Sequence, residues 1–342
     1  MLAIVNGDDN NAQRRLDTVA GLRFDGARKM ESRGSAYRMS AGQRCGFIGL
    51  GQMGAPMAAN LAQRTPVSVV SRRPAVGDRF RALGADVHAD VAGLADCRVV
   101  ILCLPDGEVV ETVLLAPDGL ASVLPPGSVV VDTSTIEYTR TLGIAERLAD
   151  RRITFIDAPV SGMQARAEAG TLTMMCGGDG DVIKRLRPLL GAMASTILLM
   201  GSTGSGQLAK LINQLLFDIN AAALAEILPL AVKLGLDPEK TGQIINSGTG
   251  RSYASEFFIP NMLKGDFSKG YPMAAAYKDL ISGAEISARH CIPLPVLAAA
   301  TAAYQAALVA GHGDKDKGGM ICATEDKLGV VFRANAKGPT HD

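Results

Sequence analysis

A glycine-rich turn between a short apolar strand and a helix of small residues is the feature that most constrains the fold of this chain. Residues 45–64 read CGFIGLGQMGAPMAANLAQR, and their glycines have the spacing GxGxxG. In such a turn the first glycine permits a tight bend, the second lets a pyrophosphate approach the backbone, and the third lets the helix pack on the strand. We therefore predict a dinucleotide site, with a purely structural turn as the alternative, at Gly49, Leu50, Gly51, Gln52, Met53 and Gly54.

The end of the second predicted strand indicates which dinucleotide this site would prefer. About 20 residues after the glycines, a site for NAD usually carries Asp or Glu to bind the ribose 2′-OH. This chain has Ser71, Arg72 and Arg73 there, with no carboxylate. Two guanidinium groups suit a 2′-phosphate. We predict NADP(H) as the favoured cofactor and NAD(H) as the alternative, while two solvated surface arginines would be the structural explanation.

Strands and helices alternate after this turn. Apolar strands are predicted over residues 98–105, 128–135 and 154–160, with helices beginning at residue 107 and spanning about residues 139–151. This order predicts an α/β fold with a doubly wound parallel sheet of the Rossmann type. Ligands of such sheets bind beyond the carboxyl ends of the strands. The residues at those ends are therefore expected to converge on one cleft: Leu104, Pro105, Thr135, Ser161 and Gly162.

A lysine lies inside an otherwise apolar helix at residues 204–220, GSGQLAKLINQLLFDIN. Gln207, Lys210, Asn213 and Gln214 fall on roughly one face of that helix. Burial disfavours the charged form of an amine, which brings its pKa into the range useful for proton transfer. None of the four histidines lies in a comparable setting. We predict Lys210 as a catalytic acid–base, and a lysine that extends its amine to solvent is the alternative.

Composition narrows the class of protein. The 342 residues carry a net charge of +1, whereas a dedicated nucleic-acid binder normally has a strong basic excess. No unbroken apolar run is long enough to cross a bilayer. The six cysteines form no CxxC pair, which favours free thiols in a reducing cytoplasm and no metal site.

Length and patterning predict more than one domain. Residues 1–44 mix acidic and basic side chains without a sustained apolar period, so we expect a disordered extension rather than a targeting segment. Residues 45–203 are predicted as the dinucleotide-binding domain, residues 204–333 as a helical substrate and oligomerisation domain, and residues 334–342 as a tail. The segment GHGDKDKGG at residues 311–319 is predicted as a solvated loop.

Four blocks together resemble the β-hydroxyacid dehydrogenase family: GFIGLGQMGAPMAANL, DAPVSGMQARAEAGTL, GSGQLAKLINQ and KDL. The resemblance implies a Rossmann domain, a long inter-domain helix and an all-α C-terminal domain that forms homodimers or homotetramers. It implies that Lys210 is the acid–base and that Ser161 and Gly162 bind the carboxylate of a small substrate. It also places Asn213 on substrate oxygens, Lys278 of the KDL block near the nicotinamide, and Leu104, Pro105 and Thr135 along the cofactor cleft.

Two positions depart from the family pattern. Met163 replaces the second glycine of DAPVSGG, which adds a bulky apolar group beside the carboxylate site. Gln214 stands where many members carry asparagine, and we predict that it binds substrate together with Asn213. From local sequence alone, Lys278 is equally consistent with a surface pair with Asp279.

These observations predict a cytoplasmic oxidoreductase that transfers a hydride between NADP(H) and a small 3-hydroxy acid or semialdehyde, of the 3-hydroxyisobutyrate or tartronate semialdehyde type. Nucleic acid and membrane are not expected as partners. The alternatives are an enzyme similar to imine reductases, in which the lysine is usually replaced, and a non-catalytic nucleotide-sensing or interaction protein on the same fold.

Overall fold

The computed structural model describes residues 44–334, so all but one residue of the predicted extension and all but one of the predicted tail lie outside the described residues. The first half alternates strands with helices up to the sixth strand. Its elements are β1 (Cys45–Ile48), α1 (Gly54–Ala62), β2 (Val67–Val70), α2 (Pro74–Ala82), β3 (Asp86–His88), β4 (Val99–Leu102), α3 (Gly107–Leu115), α4 (Leu120–Val123), β5 (Val129–Asp132), α5 (Tyr138–Ala149) and β6 (Thr154–Asp157). A short 3-10 helix, Val91–Leu94, precedes β4.

The first six strands form a parallel sheet in the order β3-β2-β1-β4-β5-β6. Strands β1, β4 and β5 are buried along their whole length, which explains why their sequences are continuous apolar runs rather than alternating ones. Residue Cys45 pairs with Val67 on one side and Val99 on the other. The predicted doubly wound α/β fold is confirmed.

The sheet is no longer purely parallel after β6. The chain continues through β7 (Val160–Ser161), α6 (Met163–Glu168), β8 (Leu172–Gly177), α7 (Gly180–Leu190) and β9 (Ala194–Gly201). Strand β8 runs antiparallel to β6 and β7, and β9 runs parallel to β8. The strand expected over residues 154–160 therefore ends at Asp157, and pairing resumes on β8 at Val160, beyond Pro159, which has no N–H to donate to a ladder.

The second half is helical. It consists of α8 (Ser205–Lys233), α9 (Pro238–Ser247), α10 (Tyr253–Lys264), α11 (Met273–His290), α12 (Pro295–Val309), a 3-10 turn (Lys317–Met320) and α13 (Ile321–Leu328). Helix α8 contacts β8 and β9 as well as all five of these other helices. Gly206 lets α8 approach the sheet, because a Cβ there would lie 2.3 Å from the carbonyl oxygen of Met175.

Helix α8 also has the length and composition of a membrane span, with a mean hydropathy of 1.8 over its most apolar 18-residue window. Of that window, 56% is buried inside the protein. The buried core helix of a globular domain passes the same test of length and composition. Polar residues within α8, among them Lys210 and Asp218, interrupt its apolar sequence, which is why no unbroken apolar run predicts a span there.

The segment at residues 311–319 is not the solvated loop that its composition predicts. Asp316 and Lys317 are each only 2% exposed. Asp316 forms an isolated bridge with Pro272, and the Lys317 ammonium pairs with the Asp218 carboxylate of α8. The prediction was wrong because charged residues were assumed to be solvated, whereas here a buried carboxylate partner lies on another helix.

Candidate active site

The turn between β1 and α1 has the geometry that a pyrophosphate requires. A Cβ on Gly49, which has φ +100°, would lie 2.1 Å from the carbonyl oxygen of Cys103, and one on Gly54 would lie 1.8 Å from that of Gly49. At Gly51, by contrast, a Cβ would meet nothing within 4 Å. No side chain caps the start of α1 at Met53. Gly49 and Gly54 are thus required by close backbone packing. Gly51 borders open space at a helix N-terminus that suits an anion.

The two arginines after β2 have different environments. Arg73 Nη2 donates to the carbonyl oxygen of Leu50 at 2.7 Å, which ties the end of β2 to the glycine turn. Ser71 Oγ accepts from the Arg73 backbone N–H at 3.3 Å. Arg72 is exposed at the same edge of the sheet. The predicted ribose-side residues therefore lie next to the predicted phosphate turn.

The loops after β4 and β5 meet the helical half. Leu104 N–H donates to Ser134 Oγ at 2.8 Å, which joins the two strand ends. Gln207 of α8 binds the second loop twice, through Nε2 to the Ser134 carbonyl at 2.8 Å and through Oε1 from the Ile136 N–H at 3.2 Å. Lys278 Nζ of α11 lies 3.5 Å from the carbonyl oxygen of Thr135. Strand ends and two helices of the second half thus border one region, with Pro105 exposed beside it.

The predicted carboxylate loop follows β7. Gly162 has φ +139°, a backbone conformation that residues with a side chain rarely adopt, and Met163 has φ +59°. Met163 therefore has a left-handed backbone, which costs a residue with a side chain about 1–2 kcal/mol. Tyr253 Oη at the start of α10 donates to Met163 Sδ at 3.3 Å. This contact joins the loop carrying Ser161 and Gly162 to the helical half.

Lys210 is 8% exposed, and its amine donates to Gln214 Oε1 at 3.0 Å. Burial lowers the pKa of Lys210 to about 8, and the positive charges of Lys317 and Lys278 act in the same direction. The carboxylates of Asp279 and Asp218 oppose this lowering. An amine with this pKa exchanges a proton readily near neutral pH.

The four polar residues predicted on one face of α8 have different environments in the structure. Gln207 and Lys210 are buried, Gln214 is half-buried, and Asn213 is exposed. Gln214 Nε2 donates to Asp279 Oδ2 at 3.3 Å, so both ends of its amide contact protein groups. The predicted roles of Lys210, Asn213 and the other site residues stay predictions at this point.

Two buried carboxylates near this region were missed. Asp157, at the end of β6, accepts from the N–H groups of Gly204 at 2.7 Å and Gln207 at 2.9 Å, so it satisfies the N-terminus of α8. Local sequence is consistent with Asp279 as a surface partner of Lys278, yet Asp279 is only 7% exposed. Each stands inside a block that carries the family resemblance, DAPVSG and KDL, which was the available signal.

Within residues 44–334, no group of three or more His, Cys, Asp or Glu side chains is placed to hold a metal ion. The site residues fit a dinucleotide instead. The open backbone at Gly51, the uncapped helix and the neighbouring arginines supply the features that phosphates need.

Two family models match the chain in succession. The model described as the NAD binding domain of 6-phosphogluconate dehydrogenase matches residues 44–201. The model described as NAD-binding of NADP-dependent 3-hydroxyisobutyrate dehydrogenase matches residues 204–323. Together they cover both halves of the fold.

Individual proteins are also similar to this chain over most of its length. The 2-(hydroxymethyl)glutarate dehydrogenase of Eubacterium barkeri is 38% identical over 299 residues, covering 84% of this chain and 96% of that protein. The 2-hydroxy-3-oxopropionate reductase of Escherichia coli (strain K12) is 32% identical over 285 residues, covering 82% and 97%. A solved structure of Psf3 in complex with NADP+ and 2-OPP superposes with a TM-score of 0.71 at 29% identity, covering 81% of this chain and 99% of Psf3.

Fold, site and similarity define an NAD(P)-dependent dehydrogenase of hydroxyacids. The chain belongs to the β-hydroxyacid dehydrogenase family, as the four sequence blocks predicted.

Proposed function

We propose that this enzyme interconverts a small 3-hydroxy acid and its semialdehyde, of the 3-hydroxyisobutyrate or tartronate semialdehyde type, with Lys210 as the acid–base. The observation that carries the proposal is the buried Lys210 amine, whose pKa of about 8 lets it hold or release a proton. The relatives support the substrate class, because one is named for 2-(hydroxymethyl)glutarate and another for 2-hydroxy-3-oxopropionate.

NADP(H), when bound, supplies or accepts the hydride. In the reducing direction the Lys210 ammonium donates its proton to the substrate's carbonyl oxygen as this oxygen becomes an alkoxide. In the oxidising direction the neutral amine takes the proton of the alcohol. Ser161 and the N–H of Gly162 hold the substrate carboxylate, and Asn213 binds a further substrate oxygen. Lys278 stands at the cofactor side of the cleft, where its amine lies 3.5 Å from the Thr135 carbonyl.

NADP(H) is the cofactor that we propose, held at the glycine turn with its 2′-phosphate near Arg72. The exposed guanidinium of Arg72 and the anchored one of Arg73 support this choice, because both are positively charged. No carboxylate stands at residues 71–73 to repel a phosphate. The Psf3 structure contains NADP+, and one matching family model is described as NADP-dependent.

Cytoplasmic localisation and self-association complete the proposal. All six cysteines are free, which suits a reducing compartment. Helix α8 exposes apolar side chains on one side, among them Ile212 at 60% and Leu216 at 58% exposure. A second copy of the chain packed there would remove them from water. Light scattering of the purified protein measures whether it is a dimer or a tetramer.

The test is oxidation of NADPH and, separately, of NADH, followed by absorbance with tartronate semialdehyde and methylmalonate semialdehyde, together with the reverse reaction on 2-(hydroxymethyl)glutarate. We expect turnover with a lower KM for NADPH than for NADH. Lys210→Ala should reduce kcat by about 10²- to 10⁴-fold, the usual loss for a general acid–base, while NADPH binding is retained. Near-normal turnover of Lys210→Ala would refute the assigned role.

A further inference from the structure

The side chain of Gln214 connects two charged groups. Its Oε1 accepts from Lys210 Nζ at 3.0 Å, and its Nε2 donates to Asp279 Oδ2 at 3.3 Å. An ammonium only donates and a carboxylate only accepts, so the amide bridges this pair in one orientation alone. Both polar atoms of the amide are thus engaged by the protein.

The distal end of this bridge, the Asp279 carboxylate, is buried. Asp279 is 7% exposed and lies on α11. The residue before it, Lys278, reaches the Thr135 carbonyl beyond β5. Helix α11 therefore contacts the loop after β5 and supplies a carboxylate to α8. A buried carboxylate is stable only where other groups compensate its charge.

We propose that Gln214 and Asp279 are positioning residues for the reaction: Asp279 fixes the Gln214 amide, and the amide oxygen fixes the Lys210 amine so that its remaining N–H groups or lone pair face the substrate oxygen. This inference rests on the proposed role of Lys210. It assigns Gln214 to the orientation of the acid–base and replaces the expectation that its side chain binds substrate.

The bridge also places a negative charge near the amine. The charged groups around Lys210 are Asp218 on its own helix, Lys278 and Asp279 on α11, and Lys317 on the 3-10 turn. Burial and the two lysines lower the pKa of Lys210, while the two carboxylates raise it, Asp279 more than Asp218. Removal of the Asp279 charge should therefore lower the pKa of Lys210 further.

Two variants separate charge from geometry. Asp279→Asn keeps an acceptor for the Gln214 amide but removes the charge, whereas Gln214→Leu removes the bridge and keeps the charge. Gln243→Leu, at an exposed position of α9, is the matched control. Thermal melting and NADPH binding establish that each variant is folded.

The first readout does not depend on catalysis. The rate of acetylation of the Lys210 amine by acetic anhydride, followed by mass spectrometry as a function of pH, gives its pKa. We expect a midpoint of about 8 in the native protein. It should be lower by about one pH unit in Asp279→Asn, the low end of the effect of a nearby opposite charge. An unchanged midpoint in a folded Asp279→Asn protein would refute the electrostatic part.

The second readout is steady-state kinetics on a substrate that the native enzyme turns over. Gln214→Leu should lower kcat by about 10- to 100-fold through loss of orientation, with little change in the substrate KM. A rise in KM alone would mean that Gln214 binds substrate and would overturn the proposal. An active Lys210→Ala variant would refute the proposed role of Lys210. The labelling result does not depend on catalysis, so it tests the effect of Asp279 on the Lys210 amine separately.

Discussion

The protonation state of Lys210 depends on its surroundings. The side chain lies within α8, where burial is the largest influence on its pKa and lowers it to about 8. Four charged neighbours adjust this value in opposite directions. A free lysine would be almost entirely protonated near neutral pH, so only the folded environment makes this amine both a donor and an acceptor of protons.

The pKa of Lys210 predicts opposite pH dependences for the two directions of the reaction. Oxidation needs the neutral amine, so kcat/KM should fall about tenfold per pH unit below about 8. Reduction needs the ammonium, so kcat/KM should fall as the pH rises above about 8. Initial rates in both directions, from about pH 6 to about pH 10, check this expectation. If both directions lost activity on the same side, Lys210 would not be the titrating group.

At the scale of single elements, the β1–α1 turn shows that its glycines have different duties. Gly49 and Gly54 are needed by close backbone packing, whereas Gly51 borders open space. Asp157 has a comparable local duty at the start of α8, where its carboxylate satisfies backbone N–H groups. These contacts fix where two helices begin, α1 at the glycine turn and α8 at Asp157.

Alanine at two of these glycines should have contrasting effects. Gly54→Ala should lower the free energy of unfolding by about 1–3 kcal/mol or more, because its Cβ has no room against the Gly49 carbonyl. Gly51→Ala should fold normally but raise the Kd for NADPH by about tenfold or more, equivalent to about 1.4 kcal/mol. Urea unfolding and fluorescence titration with NADPH measure the two effects. Normal NADPH binding by Gly51→Ala would refute the phosphate site.

At the scale of the whole molecule, a buried ion pair fastens the segment at residues 311–319 to the long helix. Lys317 pairs with Asp218, and Tyr304 Oη of α12 donates to the same carboxylate at 2.9 Å. The Lys317 ammonium also lies 4.9 Å from the centre of the Phe217 ring. Three separate parts of the helical half thus meet at one carboxylate.

Breaking this pair should destabilise the fold strongly. Lys317→Met should cost about 3–5 kcal/mol because it leaves the Asp218 carboxylate buried without its counter-ion. The double variant Asp218→Asn/Lys317→Met should lose less, since no unpaired charge remains. Lys269→Met, which removes an exposed pair with Asp266, is the control and should cost at most about 1 kcal/mol. Urea unfolding measures all three, and equal losses in Lys317→Met and Lys269→Met would contradict this account.

Sequence by itself determined the features that depend on nearby residues. The glycine spacing and the alternation of buried strands with helices are local patterns, and the structure has them where they were predicted. The reason is that hydrophobic period, turn geometry and helix capping act over a few residues.

Tertiary structure alone decided the features that depend on partners far away in the chain. Gln214 meets Asp279 across 65 residues, Gly204 meets Asp157 across 47, and Lys317 meets Asp218 across 99. The antiparallel course of β8 and the burial of Lys317 belong to the same group. A polar residue carries no local sign of whether water or a buried partner will satisfy it, and only the packing of the elements settles that choice.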